Sequence, residues 1–297
     1  MYQKFLGFAI VSMIGFAACQ NVFNKQDKVV AADSSFEEKK TKLAKVDTTT
    51  TSNPEVATKT PEAKDSNLRY VYLTFDDGPG LGTLNCYDVC KSKGVKATFF
   101  LVGEHSRYPL GKIILDTMNK DMRHFLFANH SYTHAGHGGY FKFYGHSHDA
   151  LNDFIRTQDS LHFNVAIARF PGNPSWVMND KFRSSKLTKP LAKLMDSVGY
   201  NVMGWDVEWN FNKKAEPIQS AELMAKQIES AFDSKSSFVK NHVVVLSHDR
   251  MFREPAYRDS LSKMITILQA KKGYIFETAD QYPILKKADK NLLAMRK

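Results

Sequence analysis

Beyond residue 66 the chain alternates short, nearly continuous apolar runs with longer amphipathic stretches. The runs are YVYLTF (70–75), KATFFLV (96–102), HFLFAN (124–129), VAIARF (165–170), YNVMGW (200–205), HVVVLS (242–247) and GYIFE (273–277). Each is rich in β-branched and aromatic residues and too short for a helix, so each predicts a strand. Between them, stretches near 82–93, 109–119, 147–160, 188–197, 218–232 and 257–271 predict helices. Strands that are apolar throughout and separated by helices predict a parallel sheet buried on both faces. Seven strands in about 230 residues fit either an α/β barrel or an open doubly wound sheet.

The first part of the chain follows different rules. After Met-Tyr-Gln-Lys, the segment Phe5–Ala18 is apolar but shorter than a membrane span of roughly 20 residues. With Lys4 before it and Ala17-Ala18 at its end, it reads as a secretory signal peptide. Cys19 follows directly and resembles the lipidated cysteine of bacterial lipoproteins, with Phe16 where Leu or Val is usual. Residues 20–66 carry eight lysines against eight acidic residues, four consecutive threonines, and only Phe23 and Phe36 as aromatics. Such a segment buries too little apolar surface to offset its ordering entropy and predicts a tether. The expected organisation is a signal peptide over 1–19, a tether over 20–66 and one folded domain over 67–297. The expected location is periplasmic and membrane-anchored, with Gln20 pointing to the outer membrane.

Composition narrows the class. With 43% hydrophobic and 24% charged residues, the chain is neither wholly disordered nor a multi-span membrane protein. Three cysteines are too few for a disulfide scaffold, so a packed core must hold the fold. Cys86 and Cys90 sit four apart on the first predicted helix and are expected to be free, buried thiols. The net charge of +10 lies almost wholly in 67–297 and reads as a solvated face rather than a nucleic-acid surface. A monomer is expected.

Polar residues gather where the predicted strands end: Asp76-Asp77, His130, Arg169, Asp206 and His248. In parallel α/β folds those ends share one face, so residues far apart in sequence converge there. His130 and His134, four apart, are expected to share one face of a helical turn and reach one cation, with a carboxylate as the natural third ligand. A zinc peptidase is disfavoured, because Ser131 stands where that chemistry needs Glu. Adjacent carboxylates ending a buried strand repel unless balanced, and a cation on one with Arg169 near the other would satisfy both.

Taken in order, TFDDGP (74–79), HSYTH (130–134), RFP (169–171) and LSH (246–248) resemble the motifs of the polysaccharide deacetylase family, the NodB-homology enzymes of carbohydrate esterase family 4. The resemblance implies a distorted (β/α) barrel of about seven parallel strands. It also implies a divalent metal ion, usually zinc, on Asp77, His130 and His134. Asp76 would be the general base, Arg169 would orient it, and His248 would be the acid. Leu246 would line the acetyl pocket, and Gly172, standing where the family usually has an aromatic residue, would offer its N–H to the oxyanion. The family's acid-tuning carboxylate falls within Trp205-Asp206-Val207-Glu208-Trp209, so either Asp206 or Glu208 would partner His248, with Asp206 preferred. Trp205 and Trp209 would flank a sugar ring. His137, His146 and His148 are expected to be incidental to a loop at the rim. The activity implied is removal of N-acetyl groups from an extracytoplasmic polysaccharide, peptidoglycan foremost. The alternatives are an O-acetyl esterase on a glycan such as xylan, or an inactive glycan-binding lipoprotein.

Overall fold

The computed structural model describes residues 67–179 and 181–286. The expected signal peptide, lipidated Cys19 and tether lie outside the described residues. Ten strands form one sheet: β1 (Arg69–Gly78), β2 (Ala97–Leu101), β3 (Phe125–Asn129), β4 (Ile167–Ala168), β5 (Trp176–Met178), β6 (Lys181–Arg183), β7 (Asn201–Val202), β8 (Val207–Glu208), β9 (His242–His248) and β10 (Tyr274–Phe276). Helices α1 (Thr83–Ser92), α2 (Pro109–Met118), α3 (Tyr140–Gly145), α4 (Ser147–Leu161), α5 (Lys189–Ser197), α6 (Ala221–Asp233) and α7 (Pro255–Gln269) accompany it.

All seven apolar runs become strands with parallel partners. The order β6-β5-β7-β4-β3-β2-β1-β9-β8, with β10 also on β1, gives a curled half-barrel. Three strands carried no signal in the sequence. β5 and β6 make a short antiparallel hairpin, and β8 is two residues long. Segments this brief show no period, and all of β6 is exposed.

Alternation along the strands separates two sides of the sheet. Val71, Leu73 and Phe75 of β1 pack with α1, α6 and α7 through residues such as Cys86, Ile228 and Met264. Tyr72, one residue out of phase, packs with Phe100, Ala128, Ile167, Met203 and Val244 on the inner side. Continuing each inner row by two residues leads from Tyr72 through Thr74 to Asp76, and from Val244 through Leu246 to His248. It likewise leads from Ala128 to His130 and from Ile167 to Arg169. The inner lining is therefore apolar at one end and ionisable at the carboxyl end of the strands.

Cys86 and Cys90 are buried and unpaired. Phe99 is fully buried, stacked on Phe75 at 5.1 Å and edge-on to Phe125 at 6.0 Å. Phe99→Ala should therefore lower unfolding free energy by about 3–5 kcal/mol, measured by urea denaturation; a loss below about 1 kcal/mol would show that this layer is not tightly packed.

Candidate metal and active site

Parallel registers bring the ionisable residues to one level. Asp76 pairs with His248 across β1 and β9, while Leu101 and Asn129 pair across β2 and β3, so that His130 emerges beside them. The His130 N–H donates to the carbonyl of Leu101 at 3.0 Å.

Arg169 is fully buried and Asp76 is 2% exposed. The guanidinium Nη1 donates to Asp76 Oδ1 at 2.8 Å and to Thr74 Oγ1 at 2.6 Å. Nε and Nη2 donate to the carbonyls of Met203 (3.1 Å) and Gly204 (2.9 Å). The ring of Phe100 lies 4.1 Å from the guanidinium carbon. A planar fork with this many acceptors cannot rotate, so it fixes Asp76 in turn. The other oxygen of Asp76, Oδ2, lies 3.6 Å from His130 Nε2.

Asp77 divides its two oxygens differently. Oδ2 pairs with Arg250 Nη2 at 3.1 Å, whereas Oδ1 lies 3.1 Å from His134 Nε2 and 3.5 Å from His130 Nε2. Oδ1 is buried and accepts no hydrogen bond. Burial alone would raise this carboxyl, but the facing imidazoles of His130 and His134 hold it well below the usual carboxylate range. His130 Nδ1 sits 3.0 Å from the carbonyl of Arg169. A carbonyl only accepts, so Nδ1 carries a proton there and Nε2 is the ring nitrogen turned toward Asp77. One oxygen and two imidazole nitrogens thus lie within 4.8 Å of one another, a donor set that fits a divalent cation. Among the described residues no other group of His, Cys, Asp and Glu converges this way.

The two imidazoles do not meet on a helical face, as the spacing had suggested. Ser131 (φ 64°) and His134 (φ 50°) are left-handed, and so are Ala135, Gly136 and His137 after them. The loop is instead tied down from α4: the Asp153 carboxylate accepts from the N–H groups of Tyr132 (2.8 Å) and Thr133 (3.0 Å) and from the Thr133 hydroxyl (3.1 Å). Asn129 adds a bond from the Ser131 N–H at 3.0 Å. The result brings the two imidazole centroids to 5.2 Å.

Asp206 is not the partner of His248. Its Oδ1 accepts from the N–H of Phe238 (2.7 Å) and its Oδ2 from that of Val244 (2.8 Å), so both oxygens brace the backbone. Glu208 is raised by burial, and its carboxylate is bonded by Trp205. His248 Nδ1 is buried without a partner among the described residues, and burial lowers its imidazole pKa. Its ring is held edge-on to Phe211 at 4.8 Å.

Trp209 does not flank the site either. It is fully buried, packs against Phe252 at 5.3 Å and donates Nε1–H to the carbonyl of Gln219 at 2.9 Å. Trp205 does stay near the site, with its ring 5.8 Å from the Arg169 guanidinium carbon. Leu246, 2% exposed and opposite Thr74, floors the inner face. Gly172 is exposed at a left-handed turn (φ 63°) beside Pro171. His137 pairs with Glu104 at 3.0 Å and is not a member of the three-residue cluster.

Sequence reasoning missed Arg250, Asp153 and His105, whose Nδ1–H donates to the Asp77 carbonyl at 2.9 Å. Arg250 offered one clue, its position two residues after His248. Asp153 offered none, since an acidic residue inside an amphipathic helix is ordinary.

The comparisons with known proteins fall on this same region. The polysaccharide deacetylase family matches residues 63–164. That stretch holds Asp76, Asp77, His130 and His134, while Arg169 and His248 lie beyond it. The domain is 26% identical over 218 residues to the peptidoglycan-N-acetylglucosamine deacetylase of Bacillus cereus, covering 70% of this chain and 68% of that protein. Among solved structures, a CE4 esterase of Streptococcus mutans superposes with a TM-score of 0.53 at 25% identity, over 71% of this chain and 86% of that one. The catalytic domain of a peptidoglycan N-acetylglucosamine deacetylase from Eubacterium rectale gives 0.53 at 23% identity, over 76% and 96%, and supports the fold.

Burial pushes the Asp206 carboxyl of this domain up to about 6, against 3.8 unperturbed, despite its two N–H bonds. The folded state then holds this proton more tightly than the unfolded chain, so the contribution of this group to stability is greatest below about pH 4 and declines as pH rises to about 6. Unfolding free energy followed by urea titration should fall across that window by about 2 kcal/mol more in the unsubstituted protein than in Asp206→Asn. Parallel curves would refute it.

Proposed function

We propose that this domain removes N-acetyl groups from N-acetylglucosamine units of an extracytoplasmic polysaccharide, with peptidoglycan as the foremost substrate. The observation that carries the proposal is the division of labour at Asp76-Asp77: Asp76 is bound by Arg169, while Asp77 turns an unbonded oxygen toward two imidazole nitrogens. An esterase of the serine type would have no use for that arrangement. The likeness to a peptidoglycan-N-acetylglucosamine deacetylase supports the choice of substrate. The signal-like start of the chain and Cys19 support export and lipid anchoring.

Asp77, His130 and His134 would hold one divalent ion, zinc being the simplest fit to two nitrogens and one oxygen. Such an ion supplies Lewis-acid polarisation of the acetyl carbonyl and lowers the pKa of a water at the site. Asp76, immobilised by Arg169, takes the proton from the attacking water. His248, across the ladder from Asp76, delivers a proton to the departing amine, without which nitrogen leaves poorly. The Gly172 N–H donates to the carbonyl oxygen as negative charge develops, and Leu246 receives the acetyl methyl group. Arg250 keeps Asp77 Oδ2 engaged, so that Oδ1 alone faces the imidazoles.

A second activity has one specific observation behind it. A bifunctional xylanase/deacetylase of Pseudobutyrivibrio xylanivorans is 37% identical over 68 residues, although these span only 23% of this chain and 11% of that protein. Acetate release from N-acetylglucosamine oligomers and from acetylated xylan, measured side by side, separates the two: the proposal expects the oligomers to be preferred, and a preference for xylan overturns it. Chelation should abolish release. Asp76→Asn should reduce it by about 100-fold or more while metal content stays unchanged; undiminished release from that variant would remove Asp76 from the base role.

A further inference from the structure

The segment after the histidine pair, AGHGGYFKFYG (135–145), has no part in the chemistry above, yet it ends in a helix placed against the site. Tyr140 and Tyr144 lie four apart on α3 and share a face. The Tyr144 hydroxyl, buried, donates to the carbonyl of Pro171 at 2.6 Å, and its ring packs against Phe170 at 5.7 Å. One turn earlier, the hydroxyl end of the Tyr140 ring covers Gly172. A methyl group placed on Gly172 would come within 3.1 Å of Tyr140 Cζ and 3.2 Å of Cε1. The ring is also perpendicular to His134, with centroids 6.1 Å apart.

These contacts fix Tyr140 from three sides, through the helix, the Pro171-Gly172 turn and His134. The side chain nevertheless remains 39% exposed. A tyrosine needed only to seal a core would be covered, and one on a free surface would not be wedged between a candidate metal ligand and a left-handed glycine. Phe211 is engaged by both His248 and Arg250.

We infer that Tyr140 is a substrate-positioning residue whose ring forms an aromatic wall of the site, stacking on the pyranose ring that carries the acetyl group. Gly172 is glycine because the turn is left-handed and because the wall arrives from α3 and occupies the space a side chain would need. The inference rests on the proposed function and specifies its ligand class, a sugar ring with an apolar C–H face. Aromatic rings bind such faces through their own apolar surface and orient them at little conformational cost.

The test is steady-state kinetics on N-acetylglucosamine oligomers with Tyr140→Ala, Tyr140→Phe and Tyr140→Trp. Tyr140→Ala should raise KM about tenfold with kcat within about threefold, and Tyr140→Phe and Tyr140→Trp should restore KM. Bound metal and melting temperature, read on the same preparations, should stay at the unsubstituted level. A second readout does not depend on turnover: in the Asp76→Asn background, titration with tri-N-acetylchitotriose should give about a tenfold weaker Kd once Tyr140 is Ala. An unchanged KM and Kd in Tyr140→Ala, or a drop in kcat with KM constant, overturns the wall and leaves the proposed function standing. An unsubstituted protein that neither binds nor deacetylates these oligomers overturns both.

Discussion

Two carboxylates adjacent in sequence, at the buried end of a central strand, cannot both be charged unless each finds its own compensation. Around Asp76 and Asp77 that requirement organises the site. Because successive side chains of a strand point to opposite faces, Asp76 continues the inner row of Tyr72 and Thr74, where Arg169 waits at the end of β4. Asp77 escapes that alternation by adopting φ 76°, which turns its carboxylate towards His130, His134 and Arg250. The charges are separated by backbone geometry before any ligand arrives. A buried pair such as Asp76–Arg169 is weak evidence of stability, since desolvation offsets much of the attraction. Its value here is fixed direction.

Residues in the left-handed region are uncommon outside glycine and persist only when their surroundings hold them. Asp77 at the end of β1, and Ser131 and His134 in the loop after β3, all adopt it. The bracing comes from side chains with no chemical role of their own. Asp153 holds the histidine loop, His105 holds the Asp77 carbonyl, and Asp206 pins the chain at Phe238 and Val244. A rigid strand end with an over-determined loop is the arrangement that keeps ligands where the ion would sit, rather than leaving the ion to organise them.

Much of this was legible in the sequence, and the division has a physical basis. Long apolar runs have no alternative to burial between helices, so β1, β2, β3 and β9 follow directly from composition. Polar residues ending such runs must share one rim in a parallel sheet, which brings Asp76, His130, Arg169 and His248 together. What failed depended on local backbone conformation. The four-residue spacing of His130 and His134 suggested a helix, whereas Asp153, distant in sequence, stabilises a left-handed turn. Asp206 and Trp209 were assigned to the site from their place in a motif. Their partners proved to be backbone groups and core side chains, which sequence spacing does not reveal. Tyr140 was hidden in a glycine-rich connection, because its meaning lies in a contact with Gly172 across 32 positions.

The central claim is that Asp77, His130 and His134 surround a single divalent ion. X-ray absorption at the zinc edge, on protein purified with stoichiometric zinc, tests it most directly. The account predicts one ion per chain, with a first shell of nitrogen and oxygen at about 2.0–2.2 Å including two imidazoles, and loss of that shell in His130→Ala and in Asp77→Asn. A sulfur-containing shell, or zinc retained with unchanged imidazole scattering in His130→Ala, would contradict it.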